Sequence, residues 1–166
     1  MTDTKTHIDK KLIPILEAVF DPEIPVLSVI DMGVVRSAKL TGNTAELTIT
    51  PTYSGCPAMD VIEADIKAAL KKAGYEARVE LVLSPAWTTD WITERGRKAL
   101  EKYGIAPPLE AHADKEALLG DKKIIKCPRC RSAHTKLISQ FGSTACKALF
   151  KCQDCLEPFD YFKCLK

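Results

Sequence analysis

The sequence predicts an α+β fold, a small two-layer domain followed by a four-cysteine metal module. Apolar residues recur at helical spacing in some segments and alternate in others. In addition, six of the seven cysteines lie in the last 40 residues. These patterns place helices on one face of a small sheet and a metal-stapled module after it. We expect an α+β domain with a trailing helix at 1–104, a linker at 105–123 and the module at 124–166.

The first predicted elements are a helix and a β-hairpin. Leu12, Ile15, Leu16 and Val19 share one helical face, and the two prolines of the segment DPEIP at 21–25 end that helix. The segments GVVRSAKL and TAELTIT then flank Thr41-Gly42-Asn43, which indicates a hairpin with one buried face.

A second helix, a third strand and a trailing helix follow. From Pro57 the apolar residues change to helical spacing, and Gly74 is placed to end that helix. Residues 79–83 then alternate as a strand that ends at Ser84-Pro85. The segment 87–104, in which Trp87 and Trp91 are four residues apart, is predicted as the trailing helix.

Composition limits the compartment and the chemistry. No apolar run approaches the roughly 20 residues that span a bilayer, and the first residues are too polar for a secretory signal. We therefore expect a cytoplasmic protein without a membrane segment. Stable disulfides are disfavoured in that reducing compartment, so the clustered cysteines are interpreted as metal ligands or reactive thiols.

Charge is distributed unevenly along the chain. Residues 1–120 carry a net charge of −4, and residues 121–166 carry +6. The basic charge can offset four thiolates around a divalent cation. It can also form a patch for an acidic partner or for nucleic acid. We favour the first interpretation, because the acidic first domain opposes nucleic-acid binding.

Two CxxC pairs carry the strongest motif signal in the chain. They are separated by 21 residues, and a CxxC turn directs both of its sulfurs to one point. Two such turns complete the tetrahedron that Zn(II) prefers, with Zn–S bonds of about 2.3 Å. Iron in the same four-sulfur geometry is the alternative, because spacing fixes geometry better than it fixes the element. The predicted metal ligands are Cys127, Cys130, Cys152 and Cys155.

Several other residues of the module have less specific interpretations. Cys146 and Cys164 lie outside the two pairs; burial is the commoner fate of such thiols, and transient ligation is the alternative. His134 could replace a missing ligand, although four cysteines already suffice. The aromatic residues are predicted to form the small core of the module, and they are Phe150, Phe159, Tyr161 and Phe162.

The remaining cysteine, Cys56, stands where a loop becomes a helix. Pro57 suits the first helical position, which puts Cys56 at or near the N-cap, where the helix dipole favours a thiolate. Gly55 before it allows the close approach of a partner or ligand. Such a thiolate can attack an electrophile or hold a soft metal such as iron, and a half-buried cysteine that only caps the helix is an equal alternative.

Polar residues from two loops are candidates to act with Cys56. Asp21, Glu23 and Asp31 follow the first helix, and Thr50 precedes the cysteine along the chain. A cysteine protease would need a histidine base, but the three histidines lie in the N-terminal tail, the linker and the metal module. The first domain also has no CxxC, so dithiol redox chemistry is disfavoured there.

Two motifs of the first domain resemble a known family. DPEIPVLSVIDMGVV and TPTYSGCP are similar to the signature of small iron-sulfur assembly proteins over about residues 10–85. The resemblance implies an iron-sulfur-assembly-like fold and a transient cluster at Cys56. It also places Asp21, Pro22, Glu23, Asp31 and Gly33 in the loop motif of the family.

The rest of the chain resembles a more specific family. SPAWTTDWITERGRKALEKYGIAPP, FGSTACKALFKC and EPFDYFKC are similar to the PaaD family, accessory proteins encoded with the phenylacetyl-CoA epoxidase of aerobic phenylacetate degradation. Arg131 departs from the pattern, because glycine commonly follows the second cysteine of a zinc knuckle. The chain lacks the Glu-x-x-His motifs of a di-iron subunit and the GxGxxG of a flavin reductase, so it is neither catalytic subunit.

Three hypotheses follow from these resemblances. The first is a non-enzymatic maturation factor that helps to insert an iron-sulfur cluster or iron into the epoxidase complex, with the iron-sulfur flavin reductase as the expected partner. The second is a structural or docking subunit of that complex, for which Cys56 is dispensable. The third is a nucleic-acid-binding zinc ribbon. The oligomeric state is left open, with a homodimer among the options.

Overall fold

The structure is a computed structural model that describes residues 7–109 and 124–163. The chain divides into two compact units, Met1–Trp87 and Thr88–Lys166. Most of the predicted linker, 105–123, lies outside the described residues, as does Cys164. No helix in the described part of the chain is long and apolar enough to cross a membrane.

The first unit contains a four-stranded sheet and two helices. The strands are β1 (His7–Ile8), β2 (Val35–Thr41), β3 (Thr44–Ile49) and β4 (Glu76–Leu81), and the helices are α1 (Ile13–Glu17) and α2 (Ala58–Lys72). The strand order is β1-β2-β3-β4. β2 and β3 are antiparallel, whereas β1 runs parallel to β2 and β4 runs parallel to β3.

The predicted hairpin is confirmed, and its turn has a physical cause. Thr41 pairs with Thr44, which leaves a two-residue turn made by Gly42 and Asn43. Gly42 has φ +61°, a left-handed conformation that glycine adopts without a steric cost. The Asn43 side chain donates to the carbonyl of Gly74 at 2.9 Å, so the hairpin turn is fixed to the end of α2.

One face of the sheet is buried beneath α2. Ala45, Leu47 and Ile49 alternate as the buried residues of β3. From α2 the buried residues are Ala58, Met59, Ile62, Ile66 and Leu70, which include the predicted apolar stripe. Burial of an aliphatic side chain of this size contributes about 1.5–3 kcal/mol, so this layer supplies a core that needs no metal. The predicted two-layer α+β fold is confirmed.

The second unit contains a short helix and a second four-stranded sheet. Its elements are a 3-10 turn (Thr89–Trp91), α3 (Glu94–Tyr103), β5 (Ile105–Ala106), β6 (Thr135–Ser139), β7 (Lys147–Cys152) and β8 (Pro158–Phe162). The strand order is β5-β8-β7-β6, in which β5 is parallel to β8 and the other pairs are antiparallel.

The trailing helix differs from the sequence expectation in its start and its unit. It begins at Glu94 rather than near Trp87, because the Thr93 hydroxyl accepts from the N–H of Gly96 at 3.0 Å and caps it there. Trp87 and Trp91 therefore do not share a helix. α3 belongs to the second unit, where it contacts β5, a strand formed by residues expected in the linker.

Candidate functional site

Three connections of the first unit meet at one end of its sheet. Val35 pairs with Ile49, and Ile49 pairs with Leu81, so the chain enters β2 and leaves β3 and β4 at the same end. The N–H of Thr50 donates to the carbonyl of Val34 at 2.9 Å, which joins the connections before β2 and after β3. The topology therefore brings the loop after α1 to the same end as the segment that contains Cys56.

The connection after β4 is fixed to the loop after α1. The indole N–H of Trp87 donates to the carbonyl of Met32 at 2.9 Å, and Trp87 is buried. This bond satisfies the polar edge of a large aromatic side chain while the ring contributes apolar area. The loop after α1 is thus held from two sides.

Both predicted aspartates stabilise that loop. Oδ1 of Asp21 accepts from the backbone N–H groups of Glu23 and Ile24 at 2.8 and 2.7 Å. Oδ2 of Asp31 accepts from the Ser28 hydroxyl at 3.1 Å, and that hydroxyl oxygen accepts from the N–H of Asp31 at 3.0 Å. Both carboxylates are buried, so their observed contacts shape the loop. Their predicted part in cluster transfer stays a prediction.

Glu23 and Thr50 differ in their exposure. Glu23 is half-buried, which leaves part of its side chain accessible from the loop. Thr50 is 1% exposed, and its hydroxyl has no hydrogen-bond partner among the described residues. A buried hydroxyl without a hydrogen-bond partner lowers the stability of the fold, so Thr50 is an unsatisfied polar group at the loop end of β3.

Cys56 lies half-buried in a turn before α2. Its N–H donates to the carbonyl of Tyr53 at 3.3 Å, and its carbonyl accepts from the N–H of Met59 at 3.2 Å. The N-cap is Pro57, so the cysteine stands one residue earlier than an N-cap. Gly55 has φ +79°, which only glycine adopts readily, and an added Cβ would meet no atom within 4 Å. The thiol therefore stands beside an open, exposed turn.

The second candidate site is built from two matching turns. In the first turn the N–H of Cys127 donates to the carbonyl of Ser132, and in the second the N–H of Cys152 donates to the carbonyl of Glu157, both at 2.9 Å. We call residues 127–132 the first knuckle and residues 152–157 the second knuckle. β6 and β7 hold the knuckles together, since Thr135 pairs with Cys152.

The four predicted ligand sulfurs converge. Cys127 Sγ lies 3.7 Å from Cys155 Sγ, and Cys130 Sγ lies 3.5 Å from Cys152 Sγ. All four sulfurs lie within 4.8 Å of one another. A tetrahedron with bonds of about 2.3 Å has edges of about 3.8 Å, so these residues fit a tetrahedral thiolate-bound metal. No other group of three or more candidate ligands occurs in the described ranges, and Cys56 is not a member of this one.

The environment of the sulfurs favours one thiolate in particular. The pKa of Cys152 is lowered to about 6, chiefly because the backbone N–H of Cys155 donates to its sulfur and that of Asp154 adds to the effect. The pKa of Cys155 is raised to about 12: the backbone N–H of Glu157 favours its thiolate, but burial and the three neighbouring sulfurs outweigh that bond. A divalent cation would remove this mutual repulsion and hold all four sulfurs as thiolates.

An aromatic cluster supports the knuckles, as predicted. Phe150 stacks on Phe159 with 6.0 Å between ring centroids, and it meets Tyr161 edge-on at 5.7 Å. These rings pack with buried Cys127 and Cys152 in one core cluster. The predicted fourth aromatic residue, Phe162, is also fully buried.

The other module residues are placed away from ligand positions. Cys146 is 4% exposed, which confirms the burial interpretation, and its sulfur lies 3.0 Å from the Thr144 hydroxyl. His134 is not part of the four-sulfur group, and its Nδ1 lies 3.2 Å from a carboxylate oxygen of Asp154. Arg131 has φ +65°, so this knuckle does use the left-handed conformation in which glycine is common.

Sequence reasoning missed four polar side chains that join the two knuckles. They are Arg129, Ser132, Asp154 and Glu157. Their signal is positional, because they stand two and five residues after the first cysteine of each CxxC pair. Alignment of the two pairs with each other would have revealed these matched positions.

Two protein families match successive parts of the chain. Residues 10–82 match the family described as iron-sulfur cluster assembly protein, and residues 111–163 match the PaaD zinc beta ribbon domain. A crystal structure titled as a domain of unknown function from Bacillus anthracis has a TM-score of 0.51 and 32% identity. That likeness covers 54% of this chain and 88% of the other.

Three curated relatives match different shares of the chain. A protein of Escherichia coli K12, named as a subunit of a "Putative 1,2-phenylacetyl-CoA epoxidase", is 48% identical over 91% of this chain and 90% of its own length. An "Fe-S protein maturation auxiliary factor" of Porphyromonas gingivalis is 29% identical over 57% of this chain and 91% of its own length. An auxiliary factor of the same description in Bacillus subtilis is 31% identical over 51% of this chain and 85% of its own length.

The three relatives differ in what they share with this chain. The two maturation factors cover only about half of it, whereas the Escherichia coli relative covers nearly all of it. Because it carries the PaaD zinc ribbon match and is 48% identical to that Escherichia coli subunit over nearly its whole length, the chain belongs to the PaaD family.

Proposed function

We propose that this chain is an accessory maturation factor of a phenylacetyl-CoA epoxidase complex, the ring 1,2-epoxidase of aerobic phenylacetate degradation. In this role it assists the insertion of an iron-sulfur cluster, or of iron, into a partner subunit. The iron-sulfur flavin reductase subunit is the expected client. The proposal is supported by the match of residues 10–82 to cluster assembly proteins and by the maturation factors that resemble the same part of the chain.

The observation that carries the proposal is the position of Cys56. Its thiol is half-buried beside an exposed glycine turn, and it is not a member of the four-cysteine group. A structural thiol is typically buried, as Cys146 is. A thiol at an open turn can instead bind a soft metal and release it, because the partner protein can reach it.

The loop after α1 lies at the same end of the sheet as the segment that carries this thiol. Asp21 and Asp31 hold the loop in shape, Glu23 is half-buried, and the backbone N–H of Thr50 anchors the entry to the cysteine segment. In the proposed mechanism Cys56 is the transient ligand of the cluster that is delivered. The buried Asp21, Asp31 and Thr50 act in this proposal by fixing the backbone of the two connections, and Glu23 is the candidate residue that is partly exposed.

The four-cysteine module is proposed to hold zinc as a structural ion. Its sulfur distances suit a closed four-thiolate site, which leaves no open position for a substrate. Iron in the same site is the alternative. Elemental analysis of the anaerobically purified protein decides between them: we expect one zinc per chain, and iron in its place would overturn the assignment.

The delivery role is tested by Cys56→Ser in cells that produce the complete epoxidase complex. We expect this variant to fold and to keep its four-cysteine metal, but to leave the reductase subunit with less iron and less labile sulfide. The matched controls are Ser54→Ala, which changes an exposed side chain of the same turn, and Cys146→Ala, which removes a thiol outside it. Unchanged cluster content with Cys56→Ser would contradict the proposal.

A structural subunit is the second candidate, favoured by the name of the Escherichia coli relative as a subunit. In that case the chain would co-purify with the epoxidase in fixed stoichiometry, and the Cys56→Ser complex would keep full activity. Purification of the complex with each variant distinguishes the two roles.

A further inference from the structure

The two knuckles repeat each other residue by residue. In each one, the N–H of the first cysteine donates to the carbonyl five positions later. In each one, the residue four positions after the first cysteine has a positive φ, +65° at Arg131 and +62° at Leu156. Residues at the same offset therefore occupy equivalent places on opposite sides of the four sulfurs.

Side chains at these equivalent places join the knuckles reciprocally. Arg129 forms an ion pair with Glu157, with 2.6 Å between Nη1 and Oε2. Arg129 stands two positions after the first cysteine of the first knuckle, and Glu157 stands five positions after the first cysteine of the second knuckle. The same positions meet with the knuckles exchanged, because Asp154 accepts a hydrogen bond from the hydroxyl of Ser132. Asp154 stands two positions after the first cysteine of the second knuckle, and Ser132 stands five positions after the first cysteine of the first knuckle. Each knuckle thus reaches across to the other.

A further contact strengthens the link that Asp154 makes. Its second carboxylate oxygen lies 3.2 Å from Nδ1 of His134, which stands two residues beyond the first knuckle. The backbone runs beside it, since the N–H of Gln153 donates to the carbonyl of His134 at 2.8 Å. Asp154 therefore holds two side chains from the strand side of the first knuckle.

The cross-knuckle distance is the dimension that a metal site must fix. The sulfur pairs at 3.5 and 3.7 Å each join one knuckle to the other, so separation of the knuckles opens the tetrahedron. The links through Arg129–Glu157 and Asp154–Ser132 involve no ligand sulfur. They can therefore persist while the metal leaves.

We propose that Asp154 and Glu157 are positioning residues that hold the two knuckles at ligand distance and slow the loss of the metal. This inference rests on the proposed metal site of the four cysteines and is independent of the delivery role of Cys56. The links are exposed, and exposed pairs contribute little to overall stability. Their effect is expected on the rate at which the site opens.

The test measures metal release from the full-length, zinc-loaded protein into an excess of a chelator that forms a coloured zinc complex. We expect Asp154→Ala and Glu157→Gln each to release zinc about threefold faster, and the double variant about tenfold faster, which is the range for the loss of one and two exposed links. The matched control is Glu101→Gln. It removes an ion pair to Arg131 at 2.8 Å that touches the first knuckle without joining it to the second.

Cobalt(II) substitution supplies the second readout. The visible spectrum of a cobalt tetrathiolate reports the ligand set, so unchanged spectra in the variants with faster release support a positioning role. Release rates equal to those of Glu101→Gln would overturn the inference, as would spectra that show a lost sulfur ligand. The absence of bound metal from the unmodified protein would instead overturn the metal site itself.

Discussion

The two units of this chain reach a folded state by different physical means. In the first unit, α2 covers a sheet whose buried positions alternate along β3, and the apolar area of that layer supplies the stability. In the second unit, a few aromatic rings pack against cysteines that a metal can bind. The difference shows that the two units can carry different sites. The larger core holds a half-buried thiol at an open turn, and the smaller module is expected to depend on metal ligation for its folding stability.

Removal of the metal is expected to produce the largest difference in folding between the two units. Binding of zinc to a four-thiolate site contributes on the order of 10 kcal/mol to folding, more than the total stability of a small module. We therefore expect a strong chelator to unfold the ribbon residues 124–163, while the first unit keeps its helix and sheet. Amide spectra by NMR with and without chelator measure this directly. Equal loss of signals from both units would contradict the comparison.

A core truncation tests the opposite dependence. Ile66 is fully buried in α2, and Ile66→Ala removes apolar contacts and leaves a cavity, at a cost of about 2–5 kcal/mol. We expect lower stability of the first unit to denaturant, with the zinc content unchanged. Val61→Ala is the control on the same helix, because Val61 is 46% exposed. Loss of zinc from Ile66→Ala would show that the two units do not fold independently.

A change in the backbone strain of a knuckle is expected to have the smallest effect on stability. Leu156 has φ +62° and is 62% exposed, so Leu156→Gly removes a steric cost without opening the core. After the extra chain entropy of glycine is deducted, we expect the zinc-loaded module to gain about 0.5–1 kcal/mol. Thermal unfolding measures the gain.

Arg131→Gly is the comparison variant for this test. We expect a smaller gain, because this change also removes the ion pair with Glu101. A loss of stability in Leu156→Gly would mean that the exposed leucine makes a contact that outweighs its strain.

The sequence by itself determined the fold class, the hairpin and the four cysteines that the structure brings together. Their signals are local: two-residue alternation, helical spacing and the CxxC turn each follow from backbone geometry within a few residues. The resemblances of both domains were also readable from short motifs, and the family matches confirmed them. The helix start at Glu94 was missed because a threonine cap outweighed the aromatic spacing of Trp87 and Trp91.

Only the tertiary structure decided how distant residues meet. The placement of Asp21 and Asp31 at the same end of the sheet as Cys56 depends on the pairing of β2 with β3 and of β3 with β4. The links through Asp154 and Glu157 depend on two knuckles that are distant along the chain and adjacent in space. Local sequence patterns predict individual helices and strands. Strand register and contacts between side chains that are distant in sequence are fixed only when those elements pack together in the folded chain.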